Sequence, residues 1–268
     1  MVSFPFCKIN LGLQIVSKRS DNYHNIVTCF YPVPWTDVLE VIPSRSLAFT
    51  QTGLTIPGTP EDNFCLKAYN FLKEEFKLRP VKIHLHKVLP AGSGLGGGSS
   101  DAAHMLTLLN TVFKLGLSVD TLKKTAMRIG SDCSFFLQDS PAIGRERGDV
   151  LTPVSLNLKG LYLVVVVPAI HVSTAEAYAG VTPQAPTADL LQILEQPVTN
   201  WRSSLKNDFE PSMFKKYPVL QEIKEKLYSI GAVYASMSGS GSSIYGIFDT
   251  RVAHEKHFKE VSGWSGWL

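Results

Sequence analysis

Hydrophobic residues in the first sixty positions gather in β-rich stretches, Leu11–Val16, Thr28–Val33, Val38–Ile42 and Leu47–Thr50, which predict strands joined by turns. Gly53, Pro57, Gly58 and Pro60 mark an irregular connection, and the period then changes. Leu66, Tyr69, Leu72 and Phe76 recur at helical spacing behind Asp62 and Asn63, both of which suit a helix cap. Val81, Ile83 and Leu85 fall on one face and His84 and His86 on the other, the pattern of a half-buried strand with solvated histidines rather than metal ligands. Helices are predicted from Ser99 to Phe113, on the stripe Ala102, Met105, Leu106 and Leu109, and from Ser118 to Ile129.

Leu161–Val167 is unbroken, apolar and β-branched, as in a strand buried on both faces, and Pro168 ends it. A short helix over Thr174–Tyr178, a proline-containing polar stretch over 183–197, and helices over Phe209–Lys215 and Pro218–Ser229 follow. Strands over Val233–Met237 and Ile244–Phe248 flank a second glycine-serine turn, and a closing helix is predicted over Arg251–Lys259. The mixture predicts an α+β protein in two parts, with domains at 1–155 and 156–268.

Composition narrows the partners. The chain of 268 residues is 44% hydrophobic, enough for a substantial core. Its net charge of +3 is dispersed, which argues against nucleic acid as the main partner. Cys7, Cys29, Cys65 and Cys133 lack the close pairing of a zinc or redox site and read as buried thiols in a reducing compartment. The longest apolar run, Leu161–Ile170, is about half a membrane span, and no secretory leader is visible at Met1. The expectation is a cytoplasmic protein, a monomer or weak homodimer, that does not engage membranes.

The strongest chemical signal is Pro90, Ala91, Gly92, Ser93, Gly94, Leu95, Gly96, Gly97, Gly98, Ser99 and Ser100, lying between a predicted strand and a predicted helix. Glycine lets backbone N–H groups approach an anion, and a helix N-terminus adds partial positive charge. Three readings are open: a flexible turn with Ser99 as helix N-cap, a dinucleotide turn, or a nucleotide triphosphate site. Gly92–Gly97 fits G-x-G-x-x-G but follows some eighty residues of mainly β pattern, and Asp120 stands at a helix start where a ribose ligand would be sought, so the dinucleotide reading ranks below the triphosphate. A Walker loop would need a lysine before Ser99, where Gly98 stands. Asp101 is read as a residue of the capping turn.

These residues resemble the phosphate loop of the GHMP kinases, P-x-G-x-G-L-G-S/G-S/G-S. The resemblance extends to Cys7–Leu11, Asp21–His24, Asn63–Ala68, Gly130–Phe136, Asn207–Glu210 and Met237–Ser243. It implies a two-domain GHMP kinase fold, the N-terminal domain like the second domain of ribosomal protein S5 and the C-terminal domain ferredoxin-like. It implies ATP and Mg²⁺ as cofactors and, from the Cys7–Leu11 and Asp21–His24 segments, a cytidylyl methylerythritol as the alcohol phosphorylated. Departures are small: Cys7 replaces a usual alanine, Ser93 another small residue, and Ser131, Cys133 and Ser134 stand where Ala, Val and Pro are common. Gly144–Asp149 matches only loosely and receives no role.

Carried over residue by residue, the resemblance implies Asp132 as the group that orients or deprotonates the hydroxyl and Lys8 as the cation beside it. On their own these residues also read as a helix-terminal surface carboxylate and the outward half of an edge strand. Asn63 is expected at the adenine, Asn10 near the reacting hydroxyl, and Tyr23 and His24 at the cytidine, with Tyr178 closing the other face. The turn Ser238–Ser243, with Ser240 toward the substrate, is expected to support the substrate or the phosphate loop. Asn207 and Asp208 are read as helix-start residues, Asp208 as an N-cap. Side chains supply no firm metal ligand, so Mg²⁺ would arrive with ATP, within reach of Ser99 or Ser100.

Overall fold

The computed structural model describes residues 1–186, 188–258 and 261–268. Its elements run β1 (Val2–Ser3), β2 (Phe6–Lys18), β3 (His24–Thr36), β4 (Val38–Pro43), β5 (Ala48–Gly53), α1 (Phe64–Phe76), β6 (Val81–Lys87), α2 (Gly97–Val112) and α3 (Val119–Ile129). There follow β7 (Ala142–Glu146), β8 (Val150–Pro153), β9 (Tyr162–Val167), α4 (Thr174–Ala179), α5 (Leu190–Leu194) and α6 (Trp201–Ser204). The last are α7 (Glu210–Lys216), α8 (Pro218–Ser229), β10 (Tyr234–Met237), β11 (Ile244–Phe248) and β12 (Ser262–Trp267). This is the mixed α+β content that the hydrophobic pattern predicts.

The chain packs as two compact units, each assembled from separated stretches of the sequence. One comprises 1–7, 35–91 and 96–139, and the other 8–34, 92–95 and 140–268. The first unit holds a sheet of order β1-β4-β6-β5, antiparallel except for the parallel β5–β6 pair. Leu39, Val41, Val81, Ile83 and Leu85 from that sheet form one core with Tyr69 and Leu72 of α1, Met105 and Leu109 of α2, and Leu122 of α3. Asn63 caps α1 by accepting from the Cys65 N–H at 2.9 Å, and Ser118 caps α3 through the Thr121 N–H at 3.2 Å.

In the second unit β9 lies between β11 and β12 in the antiparallel order β10-β11-β9-β12, so all six of its residues are buried as the unbroken apolar run requires. Val164 and Val166 pack with Leu220, Ile223 and Leu227 of α8 and with Phe209. Another sheet, of order β2-β3-β7-β8, draws its strands from before and after the first unit's main stretch. Its β3–β7 pairing runs from Ile26 opposite Glu146 to Phe30 opposite Ala142, which is why the units are discontinuous in sequence.

Two elements depart from the predicted pattern near the C-terminus. The predicted helix over Arg251–Lys259 does not form among its described residues. Only His254–Lys256 make a single 3₁₀ turn, and Lys259 lies outside the described residues. Beyond it, Ser262–Trp267 pair along their whole length with β9. This segment is glycine-rich for a packing reason, since a Cβ at Gly263 would press to 2.6 Å from the Val165 carbonyl oxygen.

Candidate functional site

The glycine-rich segment joins the end of β6 to the start of α2. Gly92, Gly94 and Gly96 take φ of 65°, 79° and 74°, while the intervening Ser93 and Leu95 do not share that hand. Alternating hands along a chain turn successive N–H groups toward one side, a concavity suited to an anion. Helix α2 begins at Gly97, with left-handed Gly96 as its N-cap, so Ser99 sits inside the first turn instead of capping it. Its first helical hydrogen bond runs from Ser100 N to Gly96 O at 2.9 Å. The amides of Gly97, Gly98 and Ser99 therefore precede the helical ladder and have no partner within it. Ser100 Oγ is fully buried with no hydrogen-bond partner among the described residues.

Residues 92–95 belong to the second unit and are held there by their carbonyls. Ser243 N donates to Ser93 O at 3.0 Å, Lys8 N to Leu95 O at 3.0 Å, and both Ser238 Oγ and Lys8 Nζ donate to Gly94 O, at 3.0 and 2.8 Å. The Ser238–Ser243 turn thus packs on the loop. Asn207 fixes that turn in place, donating through Nδ2 to Met237 O and Gly239 O at 2.8 Å each. Asp208 is not an N-cap. Phe209 occupies that position on α7, and Asp208 Oδ2 accepts from the Ile15 N–H at 2.8 Å. Ser240 is half-buried in the same turn.

Lys8 is only 3% exposed, which removes the outward edge-strand reading. Its ammonium donates to Asn10 Oδ1 at 2.5 Å and lies 5.4 Å from the centre of the Phe30 ring. Asn10 in turn donates to Thr28 Oγ1 at 2.9 Å, and its carbonyl accepts from the Tyr245 hydroxyl at 2.8 Å. The two-residue spacing of Lys8 and Asn10 in a strand makes this pairing local. Asn10 Oδ1 and Gly94 O are both uncharged acceptors that aim the ammonium.

Asp132 belongs to the first unit, at the head of a 3₁₀ helix over Ser131–Leu137 that follows α3. Cys133, Ser134, Phe135 and Phe136 behind it are buried, and Asp132 itself is half-buried. Asn63 spends its Oδ1 on the α1 cap.

In the second unit the structure brings His24 onto Tyr178, rings stacked at 4.7 Å and 17°. Tyr178 also meets Phe209 edge-on at 4.9 Å. Tyr23 is 57% exposed on a turn held by Arg19 N to Tyr23 O at 2.8 Å. The Arg147 guanidinium lies 5.1 Å above the Tyr23 ring and is held by Asp149 at 2.9 Å. Sequence reasoning gave Gly144–Asp149 no role, because a loop arginine has no signal until pairing of β3 with β7 carries its strand alongside. Burial, with Lys18 nearby, lowers the His24 imidazole below its ordinary value.

Asp101 is not a capping-turn residue. It is buried and meets the Lys87 ammonium at 2.7 Å, and Lys87 meets Asp37 at 2.5 Å. Lys87 continues the buried face of Val81, Ile83 and Leu85, and that two-residue period is the sequence signal that could have found it. Among the described residues no cluster of three His, Cys, Asp or Glu side chains could hold a metal, and no helix is long and apolar enough to cross a membrane.

Comparison with known proteins accords with this arrangement. The GHMP kinases N terminal domain matches residues 63–140, and the GHMP kinases C terminal domain matches residues 189–261. A protein of Cytophaga hutchinsonii named 4-diphosphocytidyl-2-C-methyl-D-erythritol kinase is 51% identical over 252 residues, spanning 94% of this chain and 93% of its own. One of the same name from Bacteroides thetaiotaomicron is 49% identical over 93% of this chain and 92% of its own. A crystal structure of 4-(cytidine 5'-diphospho)-2C-methyl-D-erythritol kinase superposes with a TM-score of 0.84 at 30% identity, covering 99% of this chain and 98% of that one. The homoserine kinase of Cytophaga hutchinsonii, at 18% identity and a TM-score of 0.68 over 97% of this chain and 93% of that one, shares the fold. The chain is therefore an ATP-using small-molecule kinase with the GHMP kinase fold, and it belongs to the 4-diphosphocytidyl-2-C-methyl-D-erythritol kinases within the GHMP kinase family.

Proposed function

We propose that the chain transfers the terminal phosphoryl group of ATP to the 2-hydroxyl of 4-diphosphocytidyl-2-C-methyl-D-erythritol. The observation that carries phosphoryl transfer is the loop itself, with its carbonyls bonded to protein donors and the first amides of α2 at its end. The cytidylyl substrate follows from the relatives' shared name and is consistent with His24, Tyr178 and exposed Tyr23 in one unit. The family's N-terminal and C-terminal domains are taken as 1–155 and 156–268.

In this reading residues Pro90 to Ser100 bind the phosphates and Asn63 the adenine. Tyr23, His24 and Tyr178 bind the cytidine, and Asn10 and Ser240 the sugar alcohol. Asp132 accepts the proton of the attacking hydroxyl, and Lys8 favours the developing alkoxide. A cation about 4 Å from an anion contributes roughly 1 to 4 kcal/mol from bulk water to a surface-like environment. Mg²⁺ offsets phosphate charge when bound. It would enter on the nucleotide, with the buried Ser100 hydroxyl, which has no hydrogen-bond partner among the described residues, or that of Ser99, as the protein's contribution.

The test is incubation with ATP, Mg²⁺ and the cytidylyl methylerythritol, with the product located by phosphorus and carbon NMR. One phosphomonoester on the 2-oxygen and stoichiometric ADP are expected, with mevalonate and homoserine leaving ADP at background. No ester at that oxygen overturns the proposal. Lys8→Met and Asp132→Asn are each expected to lower kcat roughly a hundredfold or more in folded protein. Turnover near that of the parent would remove the residue from the mechanism.

A further inference from the structure

We propose that Lys87, Asp37 and Asp101 form a buried charge clamp that fixes the two ends of the phosphate loop, and that Lys87 is a positioning residue for the nucleotide. The inference rests on the reading of the loop as the ATP site. It goes beyond that reading because these side chains are buried, with Lys87 2%, Asp37 0% and Asp101 2% exposed, and so do not themselves offer a surface to a ligand.

The clamp is built from three parts of the first unit. Lys87 is the last residue of β6, where the chain leaves the sheet for the loop. Asp101 stands in the second turn of α2, where the chain has left the loop. The Lys87 ammonium bridges them, 2.7 Å from Asp101 Oδ2 and 2.5 Å from Asp37 Oδ2. Asp37, between β3 and β4, uses its other oxygen on the chain itself. Its Oδ1 accepts from Val88 N at 2.6 Å and Leu89 N at 2.8 Å, the first two amides after the strand. One carboxylate thus holds both the ammonium and the outgoing backbone.

Space points the same way. A Cβ at Gly97, the first residue of α2, would lie 3.1 Å from Lys87 Nζ and 3.2 Å from Leu89 Cβ. The ammonium therefore packs directly against the helix start, and glycine there permits the approach. An apolar residue at 87 would simply extend the buried face of Val81, Ile83 and Leu85. Buried ion pairs often add little stability over such a replacement, because desolvation offsets their attraction. What charged hydrogen bonds supply that apolar packing does not is direction. Here the direction fixed is that of the first turn of α2 against the end of β6. The amides of Gly97, Gly98 and Ser99 must be aimed to within a fraction of an ångström to serve an anion.

The test is steady-state kinetics with direct ATP titration, on variants checked for folding by circular dichroism. Lys87→Met is expected to raise the KM and Kd for ATP roughly ten- to hundredfold, with the KM for the cytidylyl substrate little changed. Asp101→Ala is expected to do the same, and Asp101→Asn, which keeps an oxygen for the ammonium, to recover much of the loss. If Lys87→Met leaves two unpaired carboxylates and does not fold, the charge-free Asp37→Asn/Lys87→Met/Asp101→Asn protein decides. Its ATP affinity should be lowered to the same degree. Wild-type affinity for ATP in a folded Lys87→Met or triple variant overturns the clamp and leaves the kinase reading intact. Equal loss for both substrates overturns it too, as that marks general destabilisation. A wild-type protein that fails to bind ATP overturns both.

Discussion

His104, on α2, is an imidazole that the fold keeps neutral. Ser3 Oγ lies 2.6 Å from its Nδ1, the Phe6 ring packs edge-on at 5.6 Å, and Nε2 is buried with no partner among the described residues. Protonation would place an N–H where no acceptor stands, and burial brings the group down from 6.5 to about 4. A group depressed in the fold binds protons more readily when unfolded. Its stabilising effect is therefore complete above pH ~6.5 and is lost as the pH falls toward ~4, a loss of about 3 kcal/mol over that window. Urea unfolding of the parent should weaken steeply from pH 6.5 to 4, and His104→Leu should flatten that limb while the carboxylates common to both proteins set the remainder. Parallel acid limbs for the two proteins would show that His104 does not control this dependence.

At the scale of elements, the loop between β6 and α2 owes its shape to glycines used for different reasons. Gly94 combines φ of 79° with the Ser238 carbonyl oxygen pressed where a Cβ would stand, so a side chain there meets backbone that cannot swing away. Gly160 has φ of 90° but nothing within 4 Å of its missing Cβ. Gly94→Ala is expected to raise the KM for ATP roughly ten- to hundredfold by displacing the loop. Gly160→Ala should cost roughly 1–2 kcal/mol of stability and leave that KM unchanged. Similar ATP kinetics for both variants would mean the loop tolerates displacement. Elements with a strong period of their own were legible in sequence: β6 matches its predicted span, and α1, α3 and α8 fall within a residue or two of theirs. Those defined by partners were not. Strands β7 and β8 are too short to show a period, and are made strands by pairing with β3 and with each other. Strand β12 is glycine and serine between tryptophans, and only β9 beside it makes it extended.

Across the whole chain, the same division separates the parts of the site that sequence reveals from those it hides. The phosphate loop is visible because its residue types are unusual and contiguous, whereas Lys8 and Asn10 are named by the family resemblance and only the fold shows them bonded to each other. The partnership of Asp37 with Lys87 spans fifty positions and that of His24 with Tyr178 more than a hundred and fifty, distances over which no periodicity operates. A local pattern therefore named the loop but left a dinucleotide site as a rival for it, and ligand linkage discriminates between the two in the intact protein. A ligand that binds only the folded state at a hundred times its Kd stabilises by about 2.7 kcal/mol. For a chain of this size each kcal/mol moves the melting temperature by roughly 2 °C or more. ATP with Mg²⁺ at that excess should raise Tm by about 5 °C or more, NAD at the same concentration should leave it unmoved, and adding NAD beside ATP should not diminish the shift. A rise with NAD that ATP fails to compete away would transfer Gly92–Gly97 to the dinucleotide reading.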